Sequence, residues 1–141
     1  MRRAFTLPEL MLVLAVIGIV LGIALPSLML AVDRIEVHSA ATRLIAAHQR
    51  ARMMAVSRNQ VLSLSVDSSR MIISPKGSPL VLWMAPGPAA SGVSLPGPTR
   101  MFTFAPEGFT LGLSNASLHL ARRAATRTVV FSRLGRVRLL Q

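Results

Sequence analysis

One long apolar segment near the amino terminus, with a single acidic residue close to its start, constrains this chain more than any other feature. No charged side chain occurs between Glu9 and Asp33, and about 20 apolar residues are enough to cross a bilayer as a helix. Only Arg2 and Arg3 carry side-chain charge ahead of Glu9. A carboxylate within such a helix costs on the order of 2.5–3.5 kcal/mol, so the segment predicts a membrane helix whose acidic residue needs a partner.

Three interpretations of this segment compete. A cleaved secretory signal has an apolar region of about 7–15 residues and a small-residue cut site, whereas this run is longer, Glu9 interrupts its start and no clean cut site follows. A plain membrane anchor explains the length but leaves Glu9 without a role. The third interpretation uses both features: the leader is cut after Ala4, and Phe5 becomes the new amino terminus.

Residues 4–10, with the sequence Ala-Phe-Thr-Leu-Pro-Glu-Leu, resemble the type III (prepilin) signal of type IV pilins and pseudopilins, which usually runs Gly-Phe-Thr-Leu-x-Glu. The resemblance implies that a prepilin peptidase cuts between Ala4 and Phe5 and methylates the new amine of Phe5. It also implies that Glu9 pairs with a neighbouring subunit's terminal amine in the filament core, which would offset the burial cost of Glu9 only after assembly. Ala4 replaces the usual glycine. The alternative is that Glu9 lies in the headgroup layer and has no partner.

The charge balance favours an anionic partner. The chain has 16 basic and 5 acidic residues, a net charge of +11, and Lys76 is its only lysine. Guanidinium groups contact phosphates and carboxylates through paired hydrogen bonds, which points to nucleic acid or an anionic surface. A preference for arginine codons in a GC-rich genome is the alternative explanation. Cysteine is absent, which excludes a disulfide framework and a thiolate metal site.

The chain is long enough for one folded domain beyond the apolar segment. We expect a leader at residues 1–4, a transmembrane and filament-core helix at residues 5–32, and one α+β domain at residues 33–141. Pro26 lies inside the apolar run. Because proline removes an amide donor and crowds the preceding turn, it predicts a kink or a locally melted segment.

Beyond residue 33 the apolar pattern is first helical and then alternating. Residues 33–59 carry one apolar stripe at three- and four-residue steps, formed by Val37, Ala40, Ala41, Leu44, Ala47, Ala51, Met54 and Ala55. Asn59 is expected to end this helix. Period-two segments then predict strands at 61–66, 71–73, 79–84, 101–104, 109–111, 128–132 and 136–140. The proline-rich residues 85–100 and the ambiguous residues 112–125 are expected to be loops.

Two further segments narrow the resemblance. Residues 51–64 are similar to the helix-to-strand junction of the GspH/FimT branch of pseudopilins, and residues 130–138 resemble the final hairpin of that branch. The resemblance implies an α+β, pilin-like fold, in which a long N-terminal helix with a transmembrane first half packs on an antiparallel sheet. It also implies a single pass through the bacterial inner membrane, with the C-terminal domain outside the cytoplasm until the subunit enters a pilus or pseudopilus.

The last hairpin carries the densest basic cluster. Six arginines occur between residues 122 and 138 without an intervening acidic residue. On a strand, Arg136 and Arg138 leave the same face about 6.6 Å apart, close to two 3.4 Å axial steps of one nucleic-acid strand. The Gly-Arg-x-Arg pattern also resembles the DNA-binding motif of FimT-like minor pilins used in natural transformation, which implies a DNA-binding role for Gly135, Arg136 and Arg138. We add Arg133 on the facing strand. The alternative is an ordinary solvated face.

Catalysis has little support in the sequence. The three histidines His38, His48 and His119 are scattered, no zinc-helix pair occurs, and so few acidic residues leave no carboxylate pair. No enzyme activity, cofactor or metal is expected. The expected partners are other pilins or pseudopilins, the prepilin peptidase, the inner membrane and DNA. Three roles remain open: a minor pilin that captures DNA, a type II secretion pseudopilin that makes only protein contacts, and an adhesin for a generic anionic polymer.

Overall fold

The computed structural model describes residues 6–112, 115–132 and 136–140. One long helix, α1, spans Leu7–Arg58, and the strands that follow are β1 Leu62–Val66, β2 Arg70–Pro75, β3 Trp83–Pro86, β4 Arg100–Phe104, β5 Thr110–Leu111, β6 Ala116–Arg122, β7 Ala125–Phe131 and β8 Val137–Leu140. A short 3₁₀ helix covers Pro88–Ser91. The chain divides into two compact units, Met1–Val32 and Asp33–Gln141.

The first unit consists of apolar helix. Its large apolar side chains are exposed, and α1 contains a stretch that is long and apolar enough to cross a membrane, none of it buried within the subunit. Helical structure continues through Pro26. A melted segment at Pro26 therefore stays a prediction for the assembled filament.

The second unit begins with the amphipathic part of α1. Its buried residues are Asp33, Val37, Ala40, Ala41, Leu44, Ala47, His48, Ala51 and Ala55. They include the whole predicted stripe except Met54, which is half-buried against the core. The small alanines let the helix approach a sheet closely, because they add little side-chain volume between backbones. Asp33 and His48 are the two polar residues that the predicted stripe did not contain.

The helix ends as the sequence predicts, at Asn59. Asn59 adopts a positive φ of 48°, and the amide of Gln60 donates to the carbonyl of Ala55 over 3.1 Å. Such a left-handed residue lets following amides satisfy carbonyls of the last turn. The chain therefore leaves the helix directly into β1.

Five strands form the first antiparallel sheet, in the order β3-β2-β1-β4-β5. The β1–β2 hairpin turns at Asp67, whose Oδ1 accepts hydrogen bonds from the amides of Ser69 and Arg70. The predicted hairpins at β1–β2 and β4–β5 are confirmed. The third predicted strand begins later than expected, at Trp83.

The second sheet is three-stranded and antiparallel, in the order β6-β7-β8. The expectation of a loop across residues 112–125 is wrong, because Ala116–Arg122 forms β6 and pairs with β7 over seven residue pairs. Leu118 and Leu120 of β6 are buried, while Ser117 and His119 between them are exposed. This alternation is a strand signal, but the signal was weak because only two large apolar residues carry it.

Both sheets contribute to one hydrophobic core with the amphipathic part of α1. The proline-rich residues 85–100 are mostly loop, as predicted, but they are not confined to the surface. Val93 is only 1% exposed, and Ser94 forms an isolated bridge with Ala121 of β6. This loop therefore ties the second sheet into the core.

Candidate functional site

The last hairpin presents its two C-terminal arginines as the sequence predicts. Arg136 and Arg138 are exposed, while Val137 and Leu139 are half-buried and pack against the core. Arg138 lies opposite Val130 in the β7–β8 register, and the amide of Ser132 donates to the carbonyl of Arg136 over 2.8 Å. Neither guanidinium forms an ion pair with a residue in the described ranges. Both are therefore free to meet an anion. The predicted contributors Arg133 and Gly135 lie outside the described residues.

The surface around Arg138 mixes apolar and polar side chains: Arg138 pairs with Val130, and Leu140 on the same face is 49% exposed. The outer face of the second sheet contains Ser117, Thr128 and His119, and the His119 ring Nδ1 lies 3.0 Å from Thr128 Oγ1. Hydroxyl groups such as those of Ser117 and Thr128 are ordinary phosphate contacts in protein–DNA interfaces. We call Arg136, Arg138, Ser117, His119 and Thr128 the basic face.

The six clustered arginines do not act together. Asp33 is 1% exposed, and its Oδ1 lies 2.9 Å from Nε of Arg122 and 3.1 Å from a terminal nitrogen of Arg123. These two arginines share one buried carboxylate, and the side chain of Arg123 stays 66% exposed. The predicted cluster therefore overstates the basic charge of the hairpin. The pairing was missed because Asp33 precedes Arg123 by 90 residues.

Arg127 differs from the basic face in orientation. It alternates with Thr126 and Thr128 along β7 and shares the side of the buried residues Ala125 and Val129. Because neighbouring strand residues point to opposite faces, Arg127 lies on the other side of the sheet from Arg138. Only two of the clustered arginines are thus placed on the basic face by the described part of the chain.

Of the three predicted site residues near the amino terminus, the structure describes only Glu9. Glu9 is exposed in the first turn of α1, where a carboxylate interacts favourably with the helix dipole. Ala4 and Phe5, the predicted cleavage and methylation positions, lie outside the described residues. The roles of these three residues stay predictions.

Two protein-family profiles match the chain, one across most of its second unit and one at its amino terminus. The profile described as "Type II transport protein GspH" matches residues 40–135, and the "Prokaryotic N-terminal methylation motif" matches residues 1–25. The first match covers about two thirds of the sequence. The chain belongs to the GspH family.

The chain is also similar to one curated protein, and its fold is similar to that of two solved structures. The chain is 43% identical over 65 residues to the pilin-like protein PilA1 of Thermus thermophilus, a match covering 46% of this chain and 40% of that protein. It thus spans about two fifths of the length of this curated relative. The fold is similar to that of the type IV minor pilin FimU of Pseudomonas aeruginosa, with a TM-score of 0.61, 23% identity and coverage of 77% of this chain and 91% of that one. A second crystal form of FimU matches with a TM-score of 0.57, 21% identity and coverage of 74% and 92%.

The GspH-family subunit has a buried histidine, but its surroundings are those of a core residue. His48 packs among Phe102, Phe104 and Phe131, with ring centroids 5.5, 4.9 and 4.7 Å away. Burial, and secondarily the charge of Arg52, lowers the pKa of His48 from 6.5 to about 4. Within the described ranges no group of three metal-ligating side chains occurs.

Proposed function

We propose that this GspH-family chain is a minor subunit of a type IV pilus, stored in the inner membrane and assembled through its N-terminal helix, and that its basic face binds DNA. In this proposal residues 1–4 are a leader, residues 5–32 span the membrane and then enter the filament core, and residues 33–141 fold outside the cytoplasm. The prepilin peptidase cuts between Ala4 and Phe5 and methylates the Phe5 amine.

The observation that carries the DNA-binding proposal is the pair of exposed guanidinium groups at Arg136 and Arg138. Their i,i+2 spacing on one sheet face gives a separation of about 6.6 Å, which suits contacts with neighbouring phosphates. Gly135 and Arg133 complete the motif in this proposal. No recognition helix enters the arrangement, so we expect phosphate contacts without sequence readout.

The test is the salt dependence of DNA binding. The full chain in zwitterionic micelles is titrated with duplex DNA between about 50 and 200 mM salt, concentrations over which phosphate contacts are known to weaken strongly. The variant Arg136→Ala/Arg138→Ala should lower the slope of log affinity against log salt by about 1.8, because each phosphate contact contributes about 0.9.

The matched control is Arg58→Ala/Arg100→Ala, which removes the same charge from two exposed positions on α1 and β4. This control should change the slope of log affinity against log salt by less than about 0.9, the contribution of one phosphate contact. Equal losses in both variants would show that net charge alone attracts DNA, and an unchanged slope for the first variant would remove the hairpin from the proposal.

Assembly depends in this proposal on Glu9. Its carboxylate costs on the order of 2.5–3.5 kcal/mol within lipid, and the terminal amine of a neighbouring subunit's Phe5 offsets that cost after assembly. Glu9→Gln should leave the membrane-bound pool intact and abolish the sheared filament fraction measured by immunoblotting. Normal incorporation of this variant would refute the pairing.

The family description as a type II transport protein favours a second candidate function. In that function the chain is a pseudopilin that acts only in protein secretion and makes no DNA contact. Deleting the gene and scoring DNA uptake and protein secretion separately distinguishes the two functions. Loss of uptake alone supports the pilus, and loss of secretion alone supports the pseudopilus.

A further inference from the structure

The residue that follows the apolar segment marks the level of the membrane surface. Residues 10–32 contain no charged side chain, and these helical residues rise about 35 Å, slightly more than the roughly 30 Å hydrocarbon core of a bilayer. A helix that fills the core with these residues places Asp33 and Arg34 in the headgroup layer.

The β6–β7 turn lies at the same level, because it is bonded to Asp33. Arg122, the last residue of β6, and Arg123, the first residue of the turn, contact the Asp33 carboxylate at 2.9 and 3.1 Å. Arg122 is held further by a hydrogen bond to the carbonyl of Ser91. Two cations on one buried anion leave the local charge positive before Arg34 is counted.

A depression of about 450 Å³ adjoins this turn, and its lining includes Arg34, Ala124, Ala125, Thr126 and Arg127. This volume lies within the usual range for small-ligand sites. Neither Arg34 nor Arg127 forms an ion pair with any residue of the described ranges, and no acidic side chain of those ranges lines the depression.

We propose that this basal site, defined as Arg34 and Arg127, binds the phosphate of an anionic phospholipid headgroup while the subunit is stored in the membrane. The proposal rests on the membrane-stored state described under the proposed function. Guanidinium groups contact phosphate oxygens through paired hydrogen bonds, and a polar group in the headgroup layer meets lipid phosphates at high local concentration. The basic face remains a separate surface for DNA.

The spacing of the two surfaces provides a matched control. Arg138 pairs with Val130, three residues along β7 from Arg127, which corresponds to about 10 Å along the strand. The two arginines also lie on opposite sides of the sheet. This separation exceeds the Debye length of about 8 Å at physiological salt, so loss of charge on the basic face should have little effect at the basal site.

The experiment compares lipid retention by native mass spectrometry. The full chain, purified in zwitterionic detergent, is titrated with phosphatidylglycerol or phosphatidylcholine, and apparent Kd values are determined for the wild type, Arg34→Gln/Arg127→Gln and Arg136→Gln/Arg138→Gln. We expect the wild type to prefer phosphatidylglycerol. The basal-site variant should bind it about 30-fold more weakly, since each surface arginine contributes roughly a factor of five, and the basic-face variant should stay within about threefold of the wild type.

Other outcomes overturn the proposal. Equal losses in both variants would indicate unlocalised attraction, and equal binding of the two lipids would remove the phosphate from the recognition. Inorganic phosphate at about 1 mM is added as a competitor, a concentration well below that of lipid in a membrane. Displacement of phosphatidylglycerol by this phosphate would identify soluble phosphate as the ligand. Carbonate extraction of cell membranes checks the membrane-stored state independently. Full release of the chain by carbonate would refute that state, whereas retention with no lipid preference would refute only the basal site.

Discussion

A single buried histidine should make the stability of this subunit depend on pH in the mildly acidic range. His48 is 1% exposed and surrounded by three phenylalanine rings. Its Nδ1 has no hydrogen-bond partner among the described residues. The fold therefore holds the imidazole neutral, and its pKa falls from 6.5 to about 4.

The sign of the effect follows from this lowered pKa. The unfolded chain binds a proton on His48 below pH 6.5, whereas the folded chain resists protonation until about pH 4. Stability is therefore complete above pH 6.5 and is lost as the pH falls toward 4. This difference in proton binding lowers the free energy of unfolding by about 2 kcal/mol at about pH 5 and by about 3 kcal/mol at about pH 4.

The variant His48→Leu tests this reasoning, because leucine fills much of the same space without a titrating group. Its free energy of unfolding should equal or exceed that of the wild type at about pH 7, since an orphaned buried polar atom costs about 1–3 kcal/mol. Between about pH 7 and pH 5 the variant should lose about 2 kcal/mol less than the wild type.

The assay is guanidinium unfolding of the full chain in zwitterionic detergent, followed by the fluorescence of Trp83, the only tryptophan. The matched control is His38→Gln, which removes an exposed histidine from the same helix. The control should retain the wild-type loss over the same pH range. A His48→Leu curve parallel to that of the wild type would refute the assignment of the pH dependence to this residue.

Two further substitutions probe the packing of the domain. Asp33→Asn should lower the free energy of unfolding by about 2 kcal/mol. This loss is smaller than the roughly 3–5 kcal/mol usual for breaking a buried ion pair, because Arg122 and Arg123 can turn partly to solvent. A loss below about 0.5 kcal/mol in the same unfolding assay, the usual size of a surface effect, would contradict a structural role for the ion pairs of Asp33. Gly87→Ala should lower the melting temperature by several degrees, because the added Cβ would lie 2.5 Å from the carbonyl oxygen of Ser68, and such overcrowding costs about 1–3 kcal/mol. Differential scanning calorimetry measures this loss, and an unchanged melting temperature would show that the β1–β2 turn yields without cost.

The regular parts of the fold were predictable because their signals are local. The stripe of α1 follows from three- and four-residue spacing, and its end at Asn59 follows from the left-handed conformation that asparagine tolerates. The hairpins follow from alternation around turn residues such as Asp67. The strand β6 was missed because only Leu118 and Leu120 signal it, and its place in the sheet depends on pairing with β7.

The candidate site was predicted less completely than the fold. The exposure of Arg136 and Arg138 follows from strand alternation alone, so the sequence predicted it. The ion pairs of Arg122 and Arg123 with Asp33 could not be predicted, because a strand pattern carries no information about a carboxylate far away in the sequence. The separation of Arg127 from the basic face likewise required the register of β7.

The sequence by itself determined that the chain begins with an apolar helix interrupted by Glu9, that an α+β domain follows, and that arginine dominates its charge. These properties are set by composition and short-range periodicity, which the chain carries before it folds. Only the tertiary structure decided which arginines are neutralised and which are free, and that His48 is enclosed by aromatic rings from β4 and β7. Such partnerships depend on contacts between residues distant in sequence, and these contacts exist only once the helix and both sheets have packed into one core.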